Sequence, residues 1–536
     1  MYTVFGVFLA AANCRPNSVF LCIPPRSGRN YLPAGASYSY GAMAARAQEL
    51  AAIYRGAGLG LGHRVLVALD SRPEFYAHWF ALNLLGCSIV PINPAWRAPE
   101  LAYVLNHCSP DLVLALQERM PILKAAQTLA GQAIPMVDET LEGLGPVTRA
   151  SQSGYPDANT EAAVLYTSGT TARPKGCLLS NEYMVVAGGW YGARGGSATL
   201  HYGQERLYSP LPLFHMAGLA LTTMAMILTG GCLILPERFS ARHFWTDVVE
   251  TDASIIHYLG VTVAALLERP VEDLETAHRV RFALGVGASV NLRRRAQQRY
   301  GIALVEGWGM TETGRSCFNT MEPRHLELNV IGRSEPGLEM ISLDEQGHPC
   351  AAGEPGELCV RHSEATPREG FFSGYLNDPE ATEAAWAGGW LHTGDIVTRT
   401  EDGAFIFVDR KKNIIRRAGE NVAAAEVESV LSQHPDVIAV AIGAIEDPVR
   451  GEEVAACIVL TAGAPSAPKT ARKIFKWAQQ QLAYYKLPAW IVFAESLPLT
   501  ATNKVQKSQL FGATRDEALW EQVIDLREQK NLATKA

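Results

Sequence analysis

The feature that most constrains this chain is a change of hydrophobic period, repeated several times near its start. Residues 40–56 are Ala-rich with helical spacing, and 64–69 (RVLVAL) form an apolar, β-branched run. A helical pattern returns over 74–85, a β-rich run over 87–92 (CSIVPI), and a helical one over 99–106. Helices alternating with short apolar strands predict α/β layers around a largely parallel sheet, because parallel neighbours need a crossover that covers the sheet face. A length of 536 residues calls for more than one core. From residue 356 the pattern shifts to short strands and turns, and a further α/β unit begins near Val422. The predicted fold class is therefore α/β: a large multi-layer N-terminal domain with mostly parallel sheets plus a β-rich subdomain, and a small α+β C-terminal domain.

Composition removes several function classes. Apolar residues are 48% and charged residues 19%, as in a soluble globular protein. The net charge of −7 has no long run of one sign, which argues against nucleic acid or an anionic membrane as the main partner. Ten cysteines include no C-x-x-C pair, and thirteen histidines include no H-E-x-x-H, so neither a disulfide framework nor a zinc site is expected. A reducing cytoplasm fits that usage. Residues 4–12 are apolar but lack a basic flank, so an amphipathic helix is expected there instead of a signal peptide. Residues 216–236 carry no charge and approach the ~20 residues of a spanning helix. Gly230-Gly231 would break that run into a buried helix and a strand over 232–235, so no integral membrane association is expected. The glycines of 56–62 (GAGLGLG) follow a helix and precede a strand, the reverse of a dinucleotide fingerprint.

The strongest local signal is LYTSGTTARPKG at 165–176. An apolar strand over 163–166 delivers a turn of hydroxyls, a glycine and then Lys175. Backbone amides, hydroxyls and one lysine are what a polyphosphate demands. The Walker spacing is absent, and a polar surface loop is the plain alternative. Further along, Asp402-Gly403 predicts a two-residue hairpin between 396–400 and 404–408. With that loop Glu401 faces Ala404, paired numbers sum to 805, and Asp395 stands opposite Arg410 with Cβ atoms about 5 Å apart. In the tail, 514–517 (TRDE) reads as a capping box, and Leu519, Val523 and Leu526 recur at helical spacing. A docked amphipathic tail helix is expected.

These motifs give the chain a resemblance to the acyl-adenylate-forming superfamily of acyl-CoA synthetases, peptide-synthetase adenylation domains and firefly luciferase. After the hydroxyl loop come PLFHMAG (212–218), GWGMTET (307–313), WLHTGD (390–395), DRKKNIIRRAGEN (409–421) and Lys504, in the family's order. The resemblance implies in-line attack of a carboxylate on the α-phosphate of ATP, loss of pyrophosphate, and acyl transfer to coenzyme A. Both reactants are anions, so positioning and charge neutralisation carry such a reaction. The resemblance makes Lys504 the catalytic lysine, and gives Mg²⁺ to Glu312 with Thr167. It gives the phosphates to Thr167, Ser168, Gly169, Thr170, Thr171 and Lys175. Trp308 would stack on adenine opposite Gly287 and Ala288, with Glu306, Gly307, Gly309, Met310 and Thr311 completing the nucleotide site. Asp395 would hold the ribose and Arg410 would assist; a cross-strand ion pair is the alternative, and both can hold at once. Phe214, His215, Ala217, Gly218 and Gly309 would border the acyl group. For His215, a catalytic part stands beside the plainer one of a buried, satisfied histidine.

The family's arrangement sets the expected domains at 1–409 for ATP and acyl binding, 410–412 for the hinge, and 413–536 for a mobile C-terminal domain with a terminal helix. Lys412 is the hinge, and Arg416, Gly419, Glu420 and Asn421 belong to the coenzyme A tunnel. Small residues beside the acyl group predict an acid larger than acetate. The expected partners are small molecules, with a homodimer left open. Three departures from the family stand out: Ala172 in the phosphate loop, Val286 and Ser289 beside adenine, and Asn503 before Lys504. The alternatives are a ligase loading a carrier protein, an oxidase of the adenylate, and a catalytically dead AMP-binding module.

Overall fold

In a computed structural model of the protein the alternating periods become the elements expected of them. The helix over 40–56 runs Tyr40–Gly56, and the strands and helices that follow are Arg64–Ala68, Pro73–Leu84, Ser88–Pro91 and Ala98–Cys108. The structure describes residues 2–26, 29–167, 174–417, 420–447, 451–499, 505–512 and 515–532. The chain divides into two compact units, Met1–Met340 with Val360–His392, and Ile341–Cys359 with Thr393–Ala536.

The first unit holds two large sheets. One has seven strands in the order Gly374–Tyr375, Lys175–Ser180, Glu161–Thr167, Ser88–Pro91, Arg64–Ala68, Leu112–Ala115 and Met136–Val137. Its last five strands pair in parallel and its first three antiparallel. Val65, Leu66 and Val67 are at most 2% exposed, so both faces of their strand are covered. Burial of each such side chain contributes about 1.5–3 kcal/mol, which outweighs a polar partner at those positions. The other sheet has eight strands, parallel through its interior and antiparallel at both ends.

The apolar start of the chain is the helix Val4–Cys14, which buries Val4, Phe5, Phe8 and Ala12. Phe8 stacks on Phe80 at 4.2 Å between centroids, inside an aromatic cluster with Phe20 and Tyr40. Its unpaired first amides would be costly in that core. Asn181 accepts from Val4 N at 3.1 Å and Asn83 accepts from Phe5 N at 2.9 Å, and the two asparagines bond each other. The uncharged run at 216–236 folds as a π-turn Ala217–Thr222, a helix Thr223–Thr229 and a strand Cys232–Ile234, broken at Gly230 with φ +66°. Among the described residues, no helix is long and apolar enough to cross a membrane.

The second unit contains the hairpin Leu391–Arg399/Ala404–Arg410 from Thr393 onward, and a six-stranded sheet with the helices Ala424–Leu431 and Pro468–Gln479. Two expectations are corrected here. The hairpin loop has three residues, because Thr400 N bonds Ala404 O at 2.9 Å and Arg399 pairs with Phe405. Gly403, at φ +84°, supplies the left-handed residue that a three-residue loop needs. Near the loop the register is one residue off the predicted one, and a bulge after Ile396 restores it, so Asp395 does face Arg410. The tail is likewise not one long helix. It breaks into Glu517–Trp520, a strand Ile524–Asp525 and a helix Arg527–Leu532. Asp516 caps the first piece, accepting from Ala518 N at 3.0 Å, while Thr514 lies outside the described residues. The strand pairs with Trp490 and Ile491, and the ladder it completes overrides the helical period.

Candidate active site

Strands Glu161–Thr167 and Lys175–Ser180 pair antiparallel with Thr167 directly across from Lys175. They bracket residues 168–173, so Ser168, Gly169, Thr170, Thr171 and Ala172 lie outside the described residues. Lys175 Nζ stands 4.5 Å from the centroid of the Tyr375 ring and 3.8 Å from the Asp378 carboxylate. Tyr375 comes from the edge strand Gly374–Tyr375, which pairs with Lys175–Ser180 so that Tyr375 faces Cys177. Its hydroxyl donates to Glu312 Oε1 at 2.8 Å. Burial, and then the neighbouring Glu312 charge, pushes the Tyr375 phenol well above its usual value, so it remains a donor.

Glu312 is only 7% exposed, and its main-chain oxygen accepts from Phe372 N at 3.0 Å. The turn before it is fixed from two sides. Thr313 Oγ1 donates to Met310 O at 2.9 Å, and Tyr183 OH donates to Thr311 O at 2.7 Å. A sequence-predicted cation (Lys175) and carboxylate (Glu312) thus share one aromatic residue that sequence reasoning missed. The only trace of Tyr375 in the sequence is an aromatic after glycine in a short turn-bounded run.

The residues expected beside adenine lie on and next to the parallel strands Phe282–Val286 and Ala303–Trp308, with Gly285 beside Glu306. Glu306 Oε1 accepts from Gly287 N and from Ala288 N, and Oε2 accepts from Tyr258 OH at 2.8 Å, with Arg293 at 3.6 Å. Both oxygens therefore face internal donors, and Glu306 shapes the Gly287–Ala288 wall from behind. Gly287 has φ +79°, which favours glycine. Burial pushes the Glu306 carboxyl up to about 7, against the pull of Arg293. Ser289 caps the helix Val290–Tyr300 by accepting from Leu292 N at 3.3 Å, which gives the serine a local reason to stand there. Trp308 is buried at 6% exposure.

The glycines of GWGMTET do not leave empty space beside them. A Cβ on Gly307 would meet the Phe318 ring at 2.5 Å, and one on Gly309 would meet the Ser316 hydroxyl. One on Gly218 would meet Pro212 O at 2.5 Å. These residues admit close backbone approach, so the inference of acyl room from their missing side chains has no support at those positions. Phe214, His215 and Ala217 are half-buried, and the Phe214 and His215 rings lie 4.6 Å apart. Behind them the π-turn brings Thr222 Oγ1 to 2.9 Å from His257 Nδ1, whose other nitrogen is 3.0 Å from Tyr191 OH. Burial lowers His257 to about 3, so it is neutral.

In the second unit Arg410 Nε lies 2.6 Å from Asp395 Oδ1. The Asp395 side chain is 1% exposed and that of Arg410 is 42% exposed. Neighbouring Asp409 is spent on structure, accepting from Arg410 N at 2.7 Å, Asn413 Nδ2 at 3.1 Å and Ala425 N at 2.7 Å. Lys412 lies in the short turn Lys411–Asn413, and Arg416, Glu420 and Asn421 on the paired strands Ile414–Arg417 and Glu420–Ala423. The side chains of Lys412, Arg416, Glu420 and Asn421 are outside the described ones, as are Gly419, Asn503 and Lys504 altogether.

Comparison with known proteins gives concordant results. Residues 8–376 match the family described as AMP-binding enzyme, and 426–504 match its AMP-binding enzyme C-terminal domain. A crotonobetaine/carnitine–CoA ligase of Citrobacter koseri is 31% identical over 490 residues, covering 88% of this chain and 93% of the relative. Among solved structures, ATP-bound MatB from Rhodopseudomonas palustris has a TM-score of 0.81 at 23% identity, covering 96% of this chain and 99% of that one. The anthranilate CoA ligase AuaEII in complex with anthranoyl-AMP has a TM-score of 0.82 at 21% identity, covering 96% and 98%. At those identities the structures establish the fold.

Proposed function

The chain belongs to the AMP-binding enzyme family, and from that premise we propose that it is an ATP-dependent carboxylic acid:coenzyme A ligase. It forms an acyl-adenylate with loss of pyrophosphate, then a thioester with release of AMP. The observation that carries this reading is the arrangement of Lys175 and Glu312 about Tyr375, at the root of a hydroxyl-rich loop. A cation and a buried carboxylate at one such place suit a metal–polyphosphate ligand.

One carboxylate and one threonine hydroxyl fit Mg²⁺, which takes few protein ligands and completes its shell with water and phosphate oxygens. Glu312 and Thr167 would hold it, and when bound it supplies charge neutralisation at the phosphates. Lys175 draws the polyphosphate to the 168–173 segment, Asp395 accepts from the ribose hydroxyls, and Arg410 pairs with Asp395. Lys504 brings a positive charge to the attacking carboxylate and the α-phosphate, which lowers the repulsion between two anions. A rotation about 410–412 would then expose the adenylate carbonyl to the thiol, with Gly419 and its neighbours along the approach. The support for an acid larger than acetate is the names of the relatives, crotonobetaine/carnitine–CoA ligase and anthranilate CoA ligase, which make acids of that kind the first to try.

The test is a carboxylic-acid panel scored for pyrophosphate exchange and for AMP release with and without coenzyme A. Exchange with one acid, and AMP release that needs coenzyme A, is the expected result. Exchange without coenzyme A-dependent turnover would point to a carrier-protein acceptor, and no exchange with any acid would overturn the ligase reading.

A further inference from the structure

Helix Ala98–Cys108 takes no part in the assignments above, yet one face of it reaches both ends of the 168–173 segment. Tyr103 and His107 are one turn apart, so they share that face. Their rings stack at 5.3 Å between centroids with 21° between planes. Tyr103 OH donates to Pro174 O at 3.1 Å, and His107 Nδ1 lies 2.9 Å from Tyr166 OH. Thr167 alone separates Tyr166 from the segment, and Pro174 follows it directly. A third link closes the frame: Asn377 Nδ2 donates to His107 O at 2.9 Å, and the next residue, Asp378, is the carboxylate beside Lys175.

The protonation states of the His107–Tyr166 pair follow from its surroundings. Burial holds the Tyr166 phenol well above its usual value, so it keeps its proton. Burial, with Arg64 nearby, lowers His107, against the opposite influence of Asp378. A neutral imidazole and a protonated phenol therefore share the hydrogen bond at Nδ1. Pro174 has no N–H, so its carbonyl is the one main-chain hydrogen-bonding group it offers, and Tyr103 takes it up just before the Thr167–Lys175 pair of the ladder. Two stacked side chains on one helix thus hold a group before the 168–173 segment and a group directly after it.

We infer that Tyr103 and His107 are positioning residues for the phosphate loop: they hold its two roots and so set the place where the nucleotide's phosphates bind. This rests on the reading of that segment as the ATP-phosphate site, so ATP-dependent pyrophosphate exchange by the wild-type protein is measured first. Its absence removes that reading, whatever the variants do. Given exchange, Tyr103→Phe deletes one hydroxyl and leaves the stack. His107→Leu deletes the polar partner of Tyr166, and His107→Asn keeps a polar atom where Nδ1 stands. Tyr103→Phe and His107→Leu should each raise the KM for ATP roughly threefold to tenfold, the range of one hydrogen bond. Thioester formation from supplied acyl-adenylate should stay within about twofold of wild type, and His107→Asn should recover most of the ATP KM. An unchanged ATP KM in Tyr103→Phe, equal loss in both half-reactions, or a His107→Asn as impaired as His107→Leu would each overturn the assignment. If His107→Leu does not fold, Tyr103→Phe decides alone, because it keeps the ring and its packing.

Discussion

Glu306 and Asp395 are both buried carboxylates beside an arginine, one in each unit, and their arginines differ in exposure. Glu306 spends both oxygens on the protein itself: two main-chain amides, a tyrosine hydroxyl and a mostly buried Arg293. Asp395 is held by Arg410, whose side chain is 42% exposed and free to be solvated. A carboxylate that organises main chain builds a wall, whereas one paired to an exposed cation at a strand end can exchange that partner for a ligand. The difference teaches that burial and an arginine neighbour do not by themselves mark a binding group. The exposure of the arginine partner is what separates the two.

Four substitutions break or sharpen that contrast, beginning with the largest effect. The second unit is the one proposed to carry groups that meet the reacting atoms, so Lys504→Ala should cut adenylation by about 10²–10³-fold, the loss expected for one charged stabiliser. Thioester formation from supplied acyl-adenylate should be largely spared, and equal loss in the two half-reactions would refute the role. Asp395→Asn should lower kcat/KM for ATP by roughly tenfold or more, since a charge-assisted hydrogen bond becomes a neutral one. Its thermal midpoint should fall little, because water can solvate Arg410; a large drop with normal kinetics would reverse the contrast.

Tyr375→Phe should reduce adenylation about threefold to tenfold by removing the donor to Glu312. It should also raise the Mg²⁺ concentration needed for half-maximal rate, and an unchanged Mg²⁺ titration would count against the Tyr375–Glu312 link. Glu306→Gln should have the smallest kinetic effect and a distinctive pH signature. The ordinary glutamate value is 4.5, and burial raises Glu306 to about 7. Its contribution to stability is therefore fully present below 4.5 and lost as pH rises through about 7. Thermal midpoints across that window should slope downward less steeply in Glu306→Gln than in wild type. Identical slopes would show that Glu306 is not the group responsible.

The hairpin shows how far the sequence could be read. Asp402-Gly403 located the turn, and the pairing of Asp395 with Arg410 was correct, but by a different path. A three-residue loop shifts the register and a bulge after Ile396 shifts it back. Loop length is set by which amides find partners across the sheet, and the two residue names do not contain that. The tail taught the same lesson, since its helical spacing of Leu519, Val523 and Leu526 gave way to a strand that completes a ladder on Trp490.

By itself the sequence determined the layering, the strand that leads into the hydroxyl loop, and the identity of Lys175, Glu312, Asp395 and Arg410 as groups to watch. Those depend on short-range periodicity and on motifs whose residues lie close in the chain. Only the tertiary structure decided that Tyr375 joins Lys175 to Glu312, that Glu306 faces inward, and that Gly307 and Gly309 lie against Phe318 and Ser316. It also decided that Tyr103 and His107 meet both roots of the loop. Each of these is a contact between segments far apart in sequence, fixed by the order of strands in a sheet and by which backbones can approach. Local sequence carries the energy of an element, but the partner across the sheet is chosen by the packing of the whole layer.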